Sequence, residues 1–121
     1  MASGTIPPIG LAREWKWSGA EKAAARRAFN KALTSEMQAT LLEAKQRASR
    51  MTQADDLWSL ERWIAKRRER IDSAFDYRYS MLPFVFARLI ADGRLTVEDL
   101  EGIHAEKIAS IEMYVAFLKE R

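Results

Sequence analysis

Cysteine is absent from this 121-residue chain, histidine occurs once, and no apolar run approaches the eighteen or so residues that a membrane-spanning helix needs. Without cysteine there is no disulfide framework and no thiolate metal site, so a reducing cytoplasm is the compartment that fits. His104 stands alone, and no G-x-x-x-x-G-K or G-x-G-x-x-G loop is present. The usual nucleophile, metal-ligand and phosphate-cradle arrangements therefore cannot be assembled. No enzyme, no metal and no cofactor are expected. Only five glycines and three prolines leave little room for long disordered stretches. The N-terminal stretch lacks the apolar core of an export signal, so neither a leader nor a membrane association is expected.

What is present is ordinary for one soluble domain: 48% hydrophobic and 31% charged residues. The net charge of +3 is small for a dedicated polyanion binder. The basic excess lies in residues 1 to 50, where nine basic side chains face four acidic ones. Lys22, Arg26, Arg27 and Lys31 cluster there, which keeps nucleic-acid binding as a remote alternative. The run Lys66 to Arg70 is weaker, because Glu69 interrupts it and residues 55 to 72 carry five acids against five bases.

Ser18 and Glu21 form an S-x-x-E capping box, which predicts a helix start near Ser18. Phe29, Leu33, Met37, Leu41, Ala44, Ala48 and Met51 then recur at three- and four-residue steps with no glycine or proline between them. One amphipathic helix of about eight turns follows from that pattern. A helix that long in so small a domain points to packing against a second chain. Asp55 and Asp56 open a second long helix. Ser80, Pro83 and Gly93 frame a short buried helix, and Thr96 with Asp99 marks the expected start of the last one. His104 is expected on the face shared with Leu100 and Ile108, as a core or interface histidine rather than a catalytic one. No period-two segment stands out, so the class is all-α.

The second helix holds two tryptophans. At roughly 100° per residue, Leu57, Leu60, Trp63, Ile64, Ala74 and Phe75 share one sector, the expected core stripe. Trp58 falls outside it, among Glu61, Arg62, Ala65, Arg68, Glu69 and Asp72. A tryptophan and arginines on a polar face are the residue types most enriched at interface hot spots. Trp58 is thus expected at a binding surface, the alternative being that it lies flat on the stems of Arg62 or Arg68 or packs in a groove against the first helix.

Trp17-Ser18, "AFNKAL" (28 to 33), "QADDLWSLERWIAKRRERID" (53 to 72), "FVFARLIADG" (84 to 93) and Lys107 together resemble the fluorescence recovery proteins of cyanobacteria and their bacterial relatives. The resemblance implies a non-enzymatic homodimer of long antiparallel stalk helices, about residues 18 to 78, with a smaller helical head, about 79 to 121. Residues 1 to 17 would be a flexible tail. It further implies a partner, the photoactivated orange carotenoid protein, whose return to the resting orange state the family hastens. Trp58 and Arg68 on the stalk and Phe84 and Lys107 on the head match positions that carry contacts or the dimer interface. Where cyanobacterial members place a histidine and an aspartate after the W-x-L element, this chain has Glu61 and Arg62. The second change reverses a charge within the expected contact face, which leaves a different protein partner as the alternative. Ser110 stands where a basic residue is expected on the head.

Overall fold

A computed structural model describes residues 6 to 120. Four α-helices follow in order: α1 (Gly19–Ser49), α2 (Asp55–Ala74), α3 (Leu82–Ala91) and α4 (Ala105–Lys119), with 3-10 turns at Ile9–Glu14 and Val97–Leu100. The described residues contain no strand, as the all-α reading expects.

The capping box at Ser18 forms as the sequence dictates: Ser18 Oγ accepts from the Glu21 N–H at 3.1 Å, and Glu21 Oε1 accepts from the Ser18 N–H at 3.0 Å. From there α1 runs 31 residues, about 46 Å. Its surroundings change along the way. Ala24, Ala25, Ala28, Phe29 and Ala32 are buried, and Glu36 is the last α1 residue to be so. Small side chains let α3, α4 and the loop between them approach the α1 backbone closely. Beyond Glu36 the helix leaves this core and keeps only α2 as its neighbour, antiparallel across a tight turn. At that turn the Asp56 carboxylate accepts from the Thr52 and Gln53 N–H groups at 2.8 and 3.0 Å, which holds its pKa below the ordinary value.

The head core joins the α1 alanines to Leu82, Val85, Phe86, Leu89, Leu95, Leu100, Ile103, Ile111 and Val115. The N-terminal half of α1 thus belongs to the head, and the projecting stalk is only the hairpin of the outer α1 and α2. Gly93, at φ +79°, ends α3 in the left-handed conformation. The Arg94 N–H then reaches back to the Leu89 carbonyl (2.9 Å) and the Gly93 N–H to the Ile90 carbonyl (3.1 Å), closing the helix end.

Three expectations are corrected here. Thr96 and Asp99 do form a capping box, but it caps a 3-10 turn of four residues rather than the last helix. Gly102, at φ +106°, breaks the chain where a Cβ would lie 2.8 Å from that of Ala24, and α4 starts only after His104. His104 is accordingly an exposed N-cap whose Nδ1 accepts from the Glu106 N–H at 3.2 Å, not a buried residue beside Leu100 and Ile108. Within the expected tail, residues 1 to 5 lie outside the described residues. Residues 6 to 17 dock on the head, with Ala12 buried against it.

Residues 75 to 79, Phe-Asp-Tyr-Arg-Tyr, bring the chain from α2 back to α3 as an aromatic strap. Phe75 and Tyr77 meet Phe29 edge-on at 5.4 and 4.8 Å, and Tyr79 continues the row to Trp17 at 5.6 Å. Here period two does occur, without a second extended segment among the described residues to pair with, and it lays alternate rings on one side.

Candidate interaction surface

Five helical positions separate Trp58 from Trp63, a rotation of about 140°, so no single neighbour can cover both. Trp63 faces α1, held between the guanidinium groups of Arg47 (4.6 Å) and Arg67 (4.7 Å). Arg67 also donates to Thr40 Oγ1 at 3.1 Å and to Glu43 Oε1 at 2.9 Å, which seals the seam between the stalk helices. Glu43 has its pKa lowered by hydrogen bonds from Arg67 and Arg47. Trp58 points away and is 57% exposed.

Two residues expected in the core stripe beside Trp63 prove to be surface: Leu57 is 51% and Ile64 45% exposed. The apolar sector of α2 is wider than the seam one neighbouring helix can cover, and α1 takes the side of Trp63, Arg67 and Ile71. What remains is a shallow groove along α2 in which Leu57, Leu60 and Ile64 lie beside Glu61, Ala65 and Arg68. Across the hairpin, Met37, Leu41 and Leu42 of α1 are also exposed. Apolar side chains in water on a projecting hairpin make it the candidate interaction surface.

The sequence-predicted residues divide between this surface and the head. Trp58, Glu61, Arg62 and Arg68 are all exposed on α2. Arg62 donates to Ser59 Oγ at 3.2 Å, while Glu61 and Arg68 make no hydrogen bond or ion pair among the described residues. Phe84 lies on the head, half-buried and edge-on to Tyr114 at 5.3 Å, in a separate groove between α2 and α3. Lys107 is engaged within the chain. Its ammonium donates to both Glu21 oxygens (2.8 and 2.9 Å) and to the Lys16 carbonyl, over the ring of Trp17 at 4.9 Å. Ser110 is buried.

Glu21 gathers an unusual set of donors: the Ser18 and His104 N–H groups besides Lys107. Burial alone would raise its pKa, but these hydrogen bonds and the Lys107 charge outweigh it and bring the carboxyl from 4.5 to about 2. A second buried carboxylate, Glu36, sits where the head core ends. Arg94 donates to it from the head at 2.7 Å, and Arg70 and Arg67 of α2 approach to 3.6 and 4.0 Å. Neither group was legible as a node, because a helical pattern shows which face a carboxylate takes but not which distant arginines converge on it.

The basic cluster of α1 also has internal employment. Arg26 stacks on Tyr77 at 3.5 Å, Lys22 lies over Tyr79 at 5.5 Å, Arg27 donates to the Glu101 carbonyl at 2.6 Å and Lys31 pairs with Asp99. These cations staple α1 to the strap and the loop before α4 instead of tracking along one open face, as a phosphate backbone requires. No described helix is long and apolar enough to cross a membrane.

Fold and surface together define an all-helical protein built around contact, with an apolar, tryptophan-bearing hairpin extending from a closed head. Comparison with known proteins places it more narrowly. The chain belongs to the fluorescence recovery protein family, described as photoprotection regulators, whose sequence profile matches residues 17–115. It is 37% identical over 99 residues to the fluorescence recovery protein of Synechocystis sp. (strain ATCC 27184 / PCC 6803 / Kazusa), covering 82% of this chain and 91% of that one. The solved structure of the Synechocystis sp. PCC 6803 protein superimposes with a TM-score of 0.78 at 36% identity. That of the Fremyella diplosiphon protein does so with 0.77 at 33%. Each overlap covers 84% of this chain and 99% of the other. The family is one of regulators, named for no catalytic activity.

Proposed function

We propose that this chain acts as a homodimer that binds the photoactivated orange carotenoid protein and accelerates its return to the resting orange state, ending photoprotective quenching. The observation that carries this reading is the exposed Trp58 on the outer face of α2, beside the apolar groove of Leu57, Leu60 and Ile64 and inside the family-matched segment. The apolar positions, with Met37 and Leu41 of α1, are suited to cover against a second copy. Trp58, Glu61, Arg62 and Arg68 add the directional contacts, at the dimer interface or with the partner, and Phe84 adds one on the head. Lys107 enters this reading through its place in the head: its bonds to Glu21 and Lys16 hold α4 and the N-terminal segment on α1. No bond need be made or broken, since a protein that binds the open carotenoid protein and holds its domains in the arrangement through which they close lowers the barrier to the return. The cytoplasm is the compartment in which these partners would meet.

The dark red-to-orange relaxation of an orange carotenoid protein, measured with and without this chain, tests the reading. Faster relaxation supports it, and an unchanged rate constant across several carotenoid proteins removes it. Glu61 and Arg62 motivate the second reading, in which the same surface engages a different protein. Both are exposed, so the reversed charge faces outward where a partner would meet it. Replacing them by histidine and aspartate separates the two, because the second reading requires carotenoid-protein binding to appear only in the replaced chain.

A further inference from the structure

Glu61 lies in the apolar groove of α2 with no counter-ion. The residues three and four positions from it are Leu57, Trp58, Ile64 and Ala65, so its exposed carboxylate has no cation within reach on its own helix, and it is unpaired elsewhere among the described residues. Arg68, seven positions on and about 10 Å along the same groove, is exposed and unpaired as well. The groove is lined at positions 57, 60, 61, 64, 65, 68, 69 and 72, which reflect onto themselves about the point midway between Ile64 and Ala65. A two-fold axis through that point, perpendicular to an antiparallel pair of such helices, sets 57 against 72, 60 against 69 and 61 against 68. Any helical stripe reflects about its own middle, so shape alone does not choose this register. The charges do.

We propose that α2 pairs antiparallel with the α2 of a second copy about this axis, Glu61 of each chain forming an ion pair with Arg68 of the other. The inference rests on the homodimer of the proposed function and gives that dimer its register. A parallel pair would set Glu61 against Glu61 and Arg68 against Arg68, like charges in both places. Sliding the antiparallel copy by four residues one way sets Glu61 against Ile64 and Arg68 against Leu57, and sliding it the other way sets Glu61 against Asp72, again a like charge. Only the central register gives each charge its opposite. It also separates the roles of two adjacent residues. Arg62 is turned about 100° from Glu61 around the helix, and Trp58 about 60° in the same sense, while α1 covers the other side through Trp63 and Arg67. The axis keeps the Trp58 side of both copies on one flank of the pair. Glu61 therefore serves assembly, whereas Trp58 and Arg62 of both chains share an open flank where a partner protein meets two copies at once.

The test is the dimer dissociation constant, measured by sedimentation equilibrium on the full chain at physiological salt. Glu61→Arg alone or Arg68→Glu alone places two like-charge pairs across the seam and should raise the constant about tenfold or more. Both changes in one chain restore opposite charges in exchanged positions and should return it to within about threefold of the unaltered value. Mixing the two singly altered chains should give a heterodimer tighter than either homodimer, because every pair across the seam is then opposite. Circular dichroism should show the same helix content throughout, since neither side chain bonds to the rest of its own chain. Singly altered chains that dimerise as well as the unaltered one, or a doubly altered chain as weak as the single ones, would overturn this register while leaving a dimer in place. An unaltered chain that stays monomeric removes the homodimer itself and the register with it.

Discussion

The head and the stalk share one long helix, α1, yet they treat apolar surface in opposite ways. In the head, α1 presents alanines and one phenylalanine to α3 and α4, and Leu82, Phe86, Leu100 and Ile111 are fully buried. In the stalk, past Glu36, no residue of α1 is buried, and Leu41, Leu42, Leu57, Trp58 and Ile64 face water. Both regions seal with arginines, but differently. In both, cations close carboxylates and rings inside the chain, as Arg67 and Arg47 do on Glu43 and Trp63, but the stalk also leaves Arg68 with no partner among the described residues. A finished core beside an unfinished one separates the two regions: the head buries its apolar surface within the chain, and the stalk leaves the surface that the proposed function assigns to another protein.

The largest break in this comparison should come from the head. Phe86→Ala removes a fully buried ring and should cost about 3 to 5 kcal/mol of stability, read from urea unfolding. A loss below about 1 kcal/mol would show that the head is not the stabilising unit. Next comes Glu21, whose carboxyl titrates at about 2 in the folded chain against an ordinary 4.5. A depressed carboxylate pKa contributes stability that is complete above about pH 4.5 and is lost as the pH falls toward 2. Glu21→Gln should therefore destabilise the chain by about 3 kcal/mol at pH 7 and flatten that acid limb. Chemical denaturation at pH 7 and pH 3 checks this, and an unchanged pH dependence in the variant contradicts it.

On the stalk the order of effects reverses, with binding hit harder than stability. Trp58→Ala should weaken capture of the carotenoid protein by about 2 kcal/mol, near thirtyfold, while leaving the melting curve in place. Titration by calorimetry decides, and intact affinity would return Trp58 to the status of an idle surface ring. Ile64→Asp sharpens the contrast further. It should halve the mass seen by light scattering, yet change the unfolding free energy of the separated protomer by about 0.5 kcal/mol or less, because Ile64 is already exposed there.

How much of this was legible varied with the range of the interaction responsible. Ser18 and Glu21 announced the start of α1 because a capping box closes within four residues. The outward direction of Trp58 followed from helix angle alone. The same reasoning failed for Leu57 and Ile64, since periodicity measures how wide an apolar sector is, not how much of it a neighbour covers. It failed for His104 because Gly102 interrupts a helix whose face had been extrapolated across it, and the close approach to Ala24 that demands glycine comes from 78 residues away. The strap from Phe75 to Tyr79 did carry a signal, three aromatics at every second position. That signal alone does not make a strand, because alternation says which side the rings take and not whether a second extended segment lies alongside to pair with.

By itself the sequence determined the helical class, the start of α1, the turn at Asp55 and Asp56, and the face on which Trp58 projects. Each of these rests on interactions among residues a few positions apart. Only tertiary structure decided which apolar stripes are buried and which cations are already engaged. Those outcomes depend on surfaces meeting across long sequence separations, where many arrangements suit the same local pattern and close packing selects one.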